Sequence, residues 1–140
     1  MNTTDKNIVM LIDDSEIDAF INQKMIQNYG FANRVYVFHN CDKALTLFHN
    51  FIRMPDLPKS LLPNIVFLDL NMPEKDGFGF LEDFMKLPKT IIQNVKIVFI
   101  TSSNSENDIE RSKKYVHVFA FITKPLTFLK LEEIQQLLLT

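Results

Sequence analysis

The chain has 140 residues, 46% hydrophobic and 23% charged, and this length and composition indicate one globular domain spanning residues 1–140. A formal net charge of −2 argues against nucleic-acid binding, because that function needs a basic surface. The single cysteine, Cys41, excludes an internal disulfide and any two-cysteine metal motif. The apolar run at residues 8–12 is too short for a signal peptide or a membrane span, so we expect a cytoplasmic protein without membrane association.

Short apolar runs of strand length alternate along the chain with segments of helical periodicity. A strand at residues 8–12 precedes a helix around 17–25, and Gly30 reads as the end of that helix. A strand at 34–38 precedes a helix around 44–52, and a strand at 65–68 precedes a helix around 80–85. A strand at 95–100 precedes a polar helix at 105–115, whose start is predicted from the capping-box spacing of Ser103 and Glu106. A strand at 118–122 precedes the last helix, around 134–138.

This order, strand then helix five times over, predicts the fold class. Alternation of this kind is typical of a doubly wound α/β protein, with a parallel sheet covered by helices on both faces. Most of the strands are apolar at nearly every position, as expected for strands buried on both sides. Residues 53–64, which contain three prolines, are predicted to be an irregular surface loop.

Polar side chains follow four of the five predicted strands. Ligands of doubly wound proteins bind at the carboxyl ends of the strands, so these side chains are the candidate functional residues. They are Asp13 and Asp14 after the first strand, Asp69 after the third, Thr101, Ser102 and Ser103 after the fourth, and Lys124 with Pro125 after the fifth.

Three carboxylates at one edge repel one another unless a cation lies among them, and oxygen ligands of this kind suit Mg²⁺. A lysine can hold an anionic oxygen, a threonine hydroxyl can donate a hydrogen bond to another, and an aspartate can act as a nucleophile toward phosphorus. Together these groups predict a phosphoryl site. Taken singly, each also has a structural interpretation: a helix cap for Asp13 and Asp14, a turn after Asp69, strand packing for Thr101, and a solvated lysine for Lys124.

The combined pattern resembles the receiver domain of two-component response regulators. The resemblance rests on Asp13-Asp14, on the segment from Asp69 to Gly77 (DLNMPEKDG), on Thr101-Ser102 and on Lys124-Pro125, and it covers nearly the whole chain. It implies the flavodoxin-like fold, a five-stranded parallel sheet of strand order 2-1-3-4-5 with five helices.

The resemblance also implies a role for each matching residue. Asp69 would accept a phosphoryl group, and Mg²⁺ would be bound by Asp13, Asp14, Asp69 and the backbone carbonyl of Asn71. Lys124 would pair with Asp69 and later bind a phosphate oxygen. Thr101 would bind another phosphate oxygen and, by moving, let Phe121 turn inward. The residues implied to lie beside the phosphate are Ser102, Ser103 and Pro125, and the Lys124–Pro125 bond is often cis in such proteins.

The implied donor is a histidine kinase or a phosphotransfer protein, and the implied output is an altered surface on the fourth helix, the fifth strand and the fifth helix. A downstream protein effector, or a second copy forming a homodimer, could dock there. The chain ends directly after the last predicted helix, so we expect a stand-alone receiver domain and no enzymatic activity beyond phosphoryl acceptance and hydrolysis at Asp69.

Other functions remain open at this level. A receiver-like binding module that is never phosphorylated would carry the same residues. A haloacid-dehalogenase-type phosphatase also uses an aspartate nucleophile, but it needs a second aspartate where this chain has Asn71. A flavodoxin would need a phosphate loop where Asp13 and Asp14 would repel the phosphate.

Overall fold

The computed structural model describes residues 7–102 and 105–139 of the chain. Within these residues five parallel strands form one sheet in the order β2-β1-β3-β4-β5. The strands are β1 (Ile8–Ile12), β2 (Arg34–Phe38), β3 (Ile65–Asp69), β4 (Lys96–Thr101) and β5 (Val118–Thr123). The helices are α1 (Glu16–Tyr29), α2 (Cys41–Arg53), α3 (Gly77–Phe84), α4 (Lys89–Ile92), α5 (Glu106–Ser112) and α6 (Phe128–Leu138).

The predicted sheet and its strand order are confirmed, while the helical segments differ in detail. The short helix α4 was not predicted, because four residues are too few to show a helical period. The predicted loop at 53–64 contains a 3₁₀ turn, Lys59–Leu61. The capping box at Ser103 is wrong: α5 begins after Ser105, whose hydroxyl accepts a hydrogen bond from the Asp108 amide, and Ser103 lies outside the described residues.

The hydrophobic core lies on both faces of the sheet, because neighbouring residues of a strand point to opposite sides. In β1, Met10 and Ile12 pack on the face covered by α2 and α3. Val9 and Leu11 pack on the other face, with residues of α1 and α6. The strands β1 and β3 are buried along their whole length, whereas the edge strand β5 is half-buried at every residue. The centre of the sheet is therefore a rigid support for whatever follows β1 and β3.

Helix α1 forms where predicted, but much of its apolar stripe points to solvent. Ile17, Phe20 and Ile21 are 74%, 59% and 47% exposed, and the residues of α1 that are buried include Ala19 and Ile26. The helix ends at Gly30 as predicted, with the backbone at φ +77°, a conformation that glycine adopts without strain.

Most of the described helices begin with a capping side chain, and for α1, α2, α5 and α6 the cap follows a strand at the carboxyl edge of the sheet. An oxygen of the cap accepts a hydrogen bond from a backbone amide of the first turn, which satisfies a donor that has no partner inside the helix. The capping residues are Ser15, Asn40, Asp76, Ser105 and Thr127. These caps fix where each connection leaves the sheet. Within the described residues, none of the helices is long and apolar enough to cross a membrane.

The loop between β3 and α3 holds one residue in a left-handed conformation. Glu74 has φ +67°, and the following amide, of Lys75, donates a hydrogen bond to the Pro73 carbonyl at 2.8 Å. A side chain in this conformation is strained, whereas glycine is not.

We expect Glu74→Gly to raise the free energy of unfolding by about 0.5–1 kcal/mol, because relief of the strain exceeds the added entropy of the unfolded chain. Chemical denaturation measures this change. Glu132→Gly, at an exposed position inside α6, is the control and should lose about 1 kcal/mol. A Glu74→Gly variant as unstable as the control contradicts the assignment of strain to this residue.

Candidate functional site

Three carboxylates meet at the carboxyl edge of the sheet. Asp69 is the last residue of β3, and Asp13 and Asp14 directly follow β1, the neighbouring strand. Ile12 pairs with Leu68 in the parallel register, so the next residue of each strand is brought alongside the other. Oxygen atoms from the three side chains lie within 4.8 Å of one another, with Asp13 and Asp69 buried and Asp14 exposed. The predicted acidic cluster therefore exists, and it opens to solvent on the Asp14 side.

Asp13 is the most deeply buried of the three, and both of its carboxylate oxygens have partners. Oδ1 accepts a hydrogen bond from the Ser15 amide at 2.9 Å, and Oδ2 lies 2.9 Å from the Lys124 ammonium. Its side chain is 2% exposed. A buried carboxylate that is both ion-paired and hydrogen-bonded can stay charged. The imidazole of His39 contacts the Asp13 backbone carbonyl through Nδ1 at 2.9 Å.

Lys124 forms an ion pair with Asp69, as the resemblance implies, but this contact is longer than its contacts with two other carboxylates. Its Nζ lies 2.9 Å from Asp13 Oδ2 and 3.0 Å from Asp18 Oδ2, but 3.6 Å from Asp69 Oδ2. The last distance is an ion pair that is too long for a good hydrogen bond. The reason is geometric, because two carboxylates on and before α1 hold the ammonium toward that helix.

Hydrogen bonds fix the position of the main chain on both sides of Lys124. The Lys124 amide donates to the Thr101 carbonyl at 2.7 Å, which joins the ends of β4 and β5. The Lys130 ammonium, from the first turns of α6, donates to the carbonyls of Thr123 at 2.6 Å and Pro125 at 3.0 Å. The Lys124–Pro125 bond is cis. The backbone thus presents the lysine side chain at a defined point of the edge.

The surroundings of Asp69 favour its protonated form. Burial and the nearby Asp13 carboxylate raise the pKa of Asp69 to about 7, and Lys124 and the Asn71 amide only partly oppose this. Burial of the Lys124 ammonium tends to lower its pKa, but hydrogen bonds to Asp13 and Asp18 outweigh burial and raise that pKa above its usual range. The positive charge near Asp69 is therefore not sufficient to offset the effects of burial and of the Asp13 carboxylate on its pKa.

The remaining predicted residues surround Asp69. Thr101, the last residue of β4, is completely buried and its hydroxyl accepts a hydrogen bond from Asn71 Nδ2 at 3.3 Å. The Asn71 amide donates to Asp69 Oδ1 at 3.3 Å, so this residue links the other two. Ser102 is exposed next to Thr101, whereas Ser103 lies outside the described residues.

Phe121, the predicted switch residue, lies half-buried on β5. Its ring centroid is 5.8 Å from that of Phe99 on β4, and Phe99 in turn lies 5.2 Å from Phe78 at the start of α3. The close approach of α3 to this cluster requires Gly77. A Cβ at Gly77 would lie 2.6 Å from the Phe99 ring and 3.1 Å from the backbone oxygen of Asp69. Because Gly77 has no side chain, the start of α3 can pack directly against the end of β3.

The sequence did not single out Asp18, which belongs to the site through its contact with Lys124. The two residues are 106 positions apart, so spacing along the chain could not have paired them. One signal was available: Asp18 comes four residues after Asp14, at the start of the predicted helix.

Comparison with known families agrees with this geometry. A family model described as the response regulator receiver domain matches residues 9–136. The chain belongs to the response regulator receiver domain family. The response regulator Rcp1 of Synechocystis is 25% identical over 117 residues, which are 84% of this chain and 76% of that protein.

Solved structures of receiver proteins superpose on this receiver domain. A two-component response regulator from Cytophaga hutchinsonii has a TM-score of 0.83 at 20% identity, and the match covers 97% of this chain and 99% of that one. The phosphorylated cyanobacterial phytochrome response regulator RcpA has a TM-score of 0.69 at 25% identity, covering 91% of this chain and 87% of that one. The protein is therefore a signalling receiver of the phosphoacceptor type, and its acidic cluster fits that function.

The raised pKa of Asp69 makes the stability of this receiver domain depend on pH. Between about pH 4 and 7 the folded protein holds a proton on Asp69 that the unfolded chain has lost. Without divalent cations, the free energy of unfolding should fall as the pH rises through this window and level off above it. Asp69→Asn should remove at least about 1 kcal/mol of this decline, since one pKa unit corresponds to about 1.36 kcal/mol.

Denaturation at a series of pH values measures the two profiles. Asp56→Asn, at an exposed carboxylate in the 53–64 loop, is the matched control and should follow the unmodified protein. Parallel profiles for Asp69→Asn and the unmodified protein would show that Asp69 titrates normally.

Proposed function

We propose that Asp69 is the phosphoacceptor of this receiver domain, with a histidine kinase or a phosphotransfer protein as the donor. The observation that carries the proposal is the position of its carboxylate. It lies at the end of a central strand, 7% exposed, next to two further carboxylates and 3.6 Å from an ammonium group. A nucleophilic oxygen, a set of cation ligands and a fixed positive charge are the parts that phosphoryl transfer to a carboxylate needs.

In the proposed step, an oxygen of the ionised Asp69 carboxylate forms a bond to the donor phosphorus. The bond between phosphorus and the donor atom breaks, and that atom leaves with the electron pair: a histidine nitrogen of the protein donor, or the carboxylate of a small acyl phosphate. The product is a mixed anhydride on Asp69, and its hydrolysis restores the carboxylate and releases phosphate. We propose no other catalytic activity.

The donor set fits Mg²⁺, which prefers oxygen ligands and usually keeps several water molecules. Asp13, Asp14 and Asp69 would hold the ion, together with the backbone carbonyl of Asn71. The open side at Asp14 leaves room for its water molecules. When bound, the ion supplies positive charge where the phosphoryl oxygens gather. Its positive charge would also counter the repulsion from Asp13, which is one cause of the raised pKa of Asp69, and would favour the ionised form that acts as the nucleophile.

Lys124 and Thr101 would bind the phosphoryl oxygens. The ammonium would turn from the carboxylates toward the new anion, and the Thr101 hydroxyl would exchange the Asn71 side chain for a phosphoryl oxygen. The residues that we place beside the phosphoryl group are Ser102, Ser103 and Pro125.

Movement of Thr101 would let Phe121 turn further inward against Phe99, with which it is already in contact. The proposed output surface consists of α5, β5 and α6, the elements predicted from sequence as the fourth helix, the fifth strand and the fifth helix. A downstream protein effector, or a second copy of the chain, would dock there. A role as acceptor for such kinases implies a cytoplasmic location.

Incubation with acetyl phosphate and Mg²⁺ should add one phosphoryl group to the protein, and Asp69→Asn should abolish the addition because an amide is not a nucleophile toward phosphorus. Intact-mass spectrometry measures the uptake, and release by hydroxylamine identifies an acyl phosphate. Asp56→Asn removes an exposed carboxylate elsewhere and should be labelled normally. Equal labelling of the Asp69→Asn protein would assign the acceptor to another residue.

Titration with Mg²⁺ should shift the backbone amide resonances of residues 13, 14 and 69. Asp14→Asn removes one of three charged ligands and should weaken binding at least about tenfold. The Asp56→Asn protein should bind as the unmodified protein does. Unchanged spectra at millimolar Mg²⁺ would contradict the assignment of the cluster as a cation site.

A further inference from the structure

The first turn of α1 places a carboxylate against Lys124. Asp18 Oδ2 lies 3.0 Å from Lys124 Nζ, and the Asp18 side chain is 44% exposed, whereas that of Lys124 is 16% exposed. The cap of α1 uses the backbone amide of Asp18, which donates to Ser15 Oγ at 3.2 Å. The carboxylate of Asp18 is therefore not needed for that cap, and its contact with the lysine is a separate feature.

The Lys124 ammonium has three N–H donors, and the distances show how they are shared. Asp13 at 2.9 Å and Asp18 at 3.0 Å are at hydrogen-bond distance, while Asp69 at 3.6 Å is beyond it. Asp13 lies inside the carboxylate cluster, but Asp18 approaches the ammonium from α1. The hydrogen bond to Asp18 thus occupies a donor of an ammonium group that comes no nearer than 3.6 Å to Asp69.

We propose that Asp18 is a positioning residue that holds Lys124 in the resting protein and slows phosphoryl acceptance. This inference rests on the proposed function, because it requires Lys124 to bind the incoming phosphoryl group at Asp69. Before the ammonium can turn a second donor toward that group, its hydrogen bond to Asp18 has to lengthen or break.

The expected size of the effect follows from the exposure of the contact. Ion pairs that are partly open to water stabilise by a fraction of a kilocalorie up to about 1 kcal/mol, which corresponds to a change in rate of about twofold to fivefold. Asp18→Asn keeps the shape of the side chain and removes its charge. We therefore expect this variant to accept the phosphoryl group about twofold to fivefold faster than the unmodified protein.

The experiment measures the rate of phosphoryl uptake from acetyl phosphate with Mg²⁺ by intact-mass spectrometry in four proteins: unmodified, Asp18→Asn, Asp18→Glu and Glu16→Gln. Asp18→Glu retains a carboxylate in the same turn and should restore a rate near that of the unmodified protein. Glu16→Gln removes one exposed charge from the same turn of α1. Among the described residues the ion-pair partners of Lys124 are Asp13, Asp18 and Asp69, so Glu16→Gln should leave the rate nearly unchanged.

Acceleration in Asp18→Asn alone supports the proposal. An unchanged or slower rate in Asp18→Asn overturns it, as does equal acceleration in Glu16→Gln, which would indicate a general effect of charge. Equal acceleration in Asp18→Glu overturns it too, because the effect would then come from side-chain shape. Asp69→Asn, measured alongside, distinguishes a failure of the proposed role of Asp18 from a failure of the proposed role of Asp69. If Asp69→Asn blocks uptake while Asp18→Asn has no effect, the inference about Asp18 is wrong and Asp69 is still supported as the phosphoacceptor.

Discussion

The close approach of the Asp13 and Asp69 carboxylates is the constraint on which the rest of the site depends. It follows from the sheet itself, since β1 and β3 are neighbours and the register pairs Ile12 with Leu68. Parallel strands lie about 4.8 Å apart, so the residues after this pair cannot avoid each other. Burial and the neighbouring Asp13 carboxylate together raise the pKa of Asp69, and the Lys124 ammonium opposes part of this effect.

The fold tolerates the repulsion between the Asp13 and Asp69 carboxylates because the strands that carry them are tightly packed. β1 and β3 are buried along their length, and α3 is seated against the end of β3 at Gly77, where a larger residue would meet Phe99. The capping side chains fix the connections that carry the charged groups. Folding free energy from the core thus offsets the repulsion.

The parts of the site that depend on strand ends could be predicted from the sequence. Asp69 and Thr101 end strands, and Asp13 and Lys124 directly follow them, so topology alone brings them together. The hydrogen bond from Lys124 to Asp18 could not be predicted, because it depends on the direction of two side chains that are 106 residues apart. The exposed apolar stripe of α1 shows the same limit: helical spacing predicts a helix, but the packing of its neighbours decides which face is buried.

The anchoring of the chain around Lys124 has a consequence for the speed of events at the site. The backbone is fixed by the bond from the Lys124 amide to Thr101 and by the two bonds from Lys130. Reorientation of the ammonium is then confined to rotations about side-chain bonds. Because the Lys124 side chain is only 16% exposed and lies against two carboxylates, each rotation has to break a charged hydrogen bond. The ammonium can therefore reach a new charge without any movement of the main chain, at a speed set by those contacts.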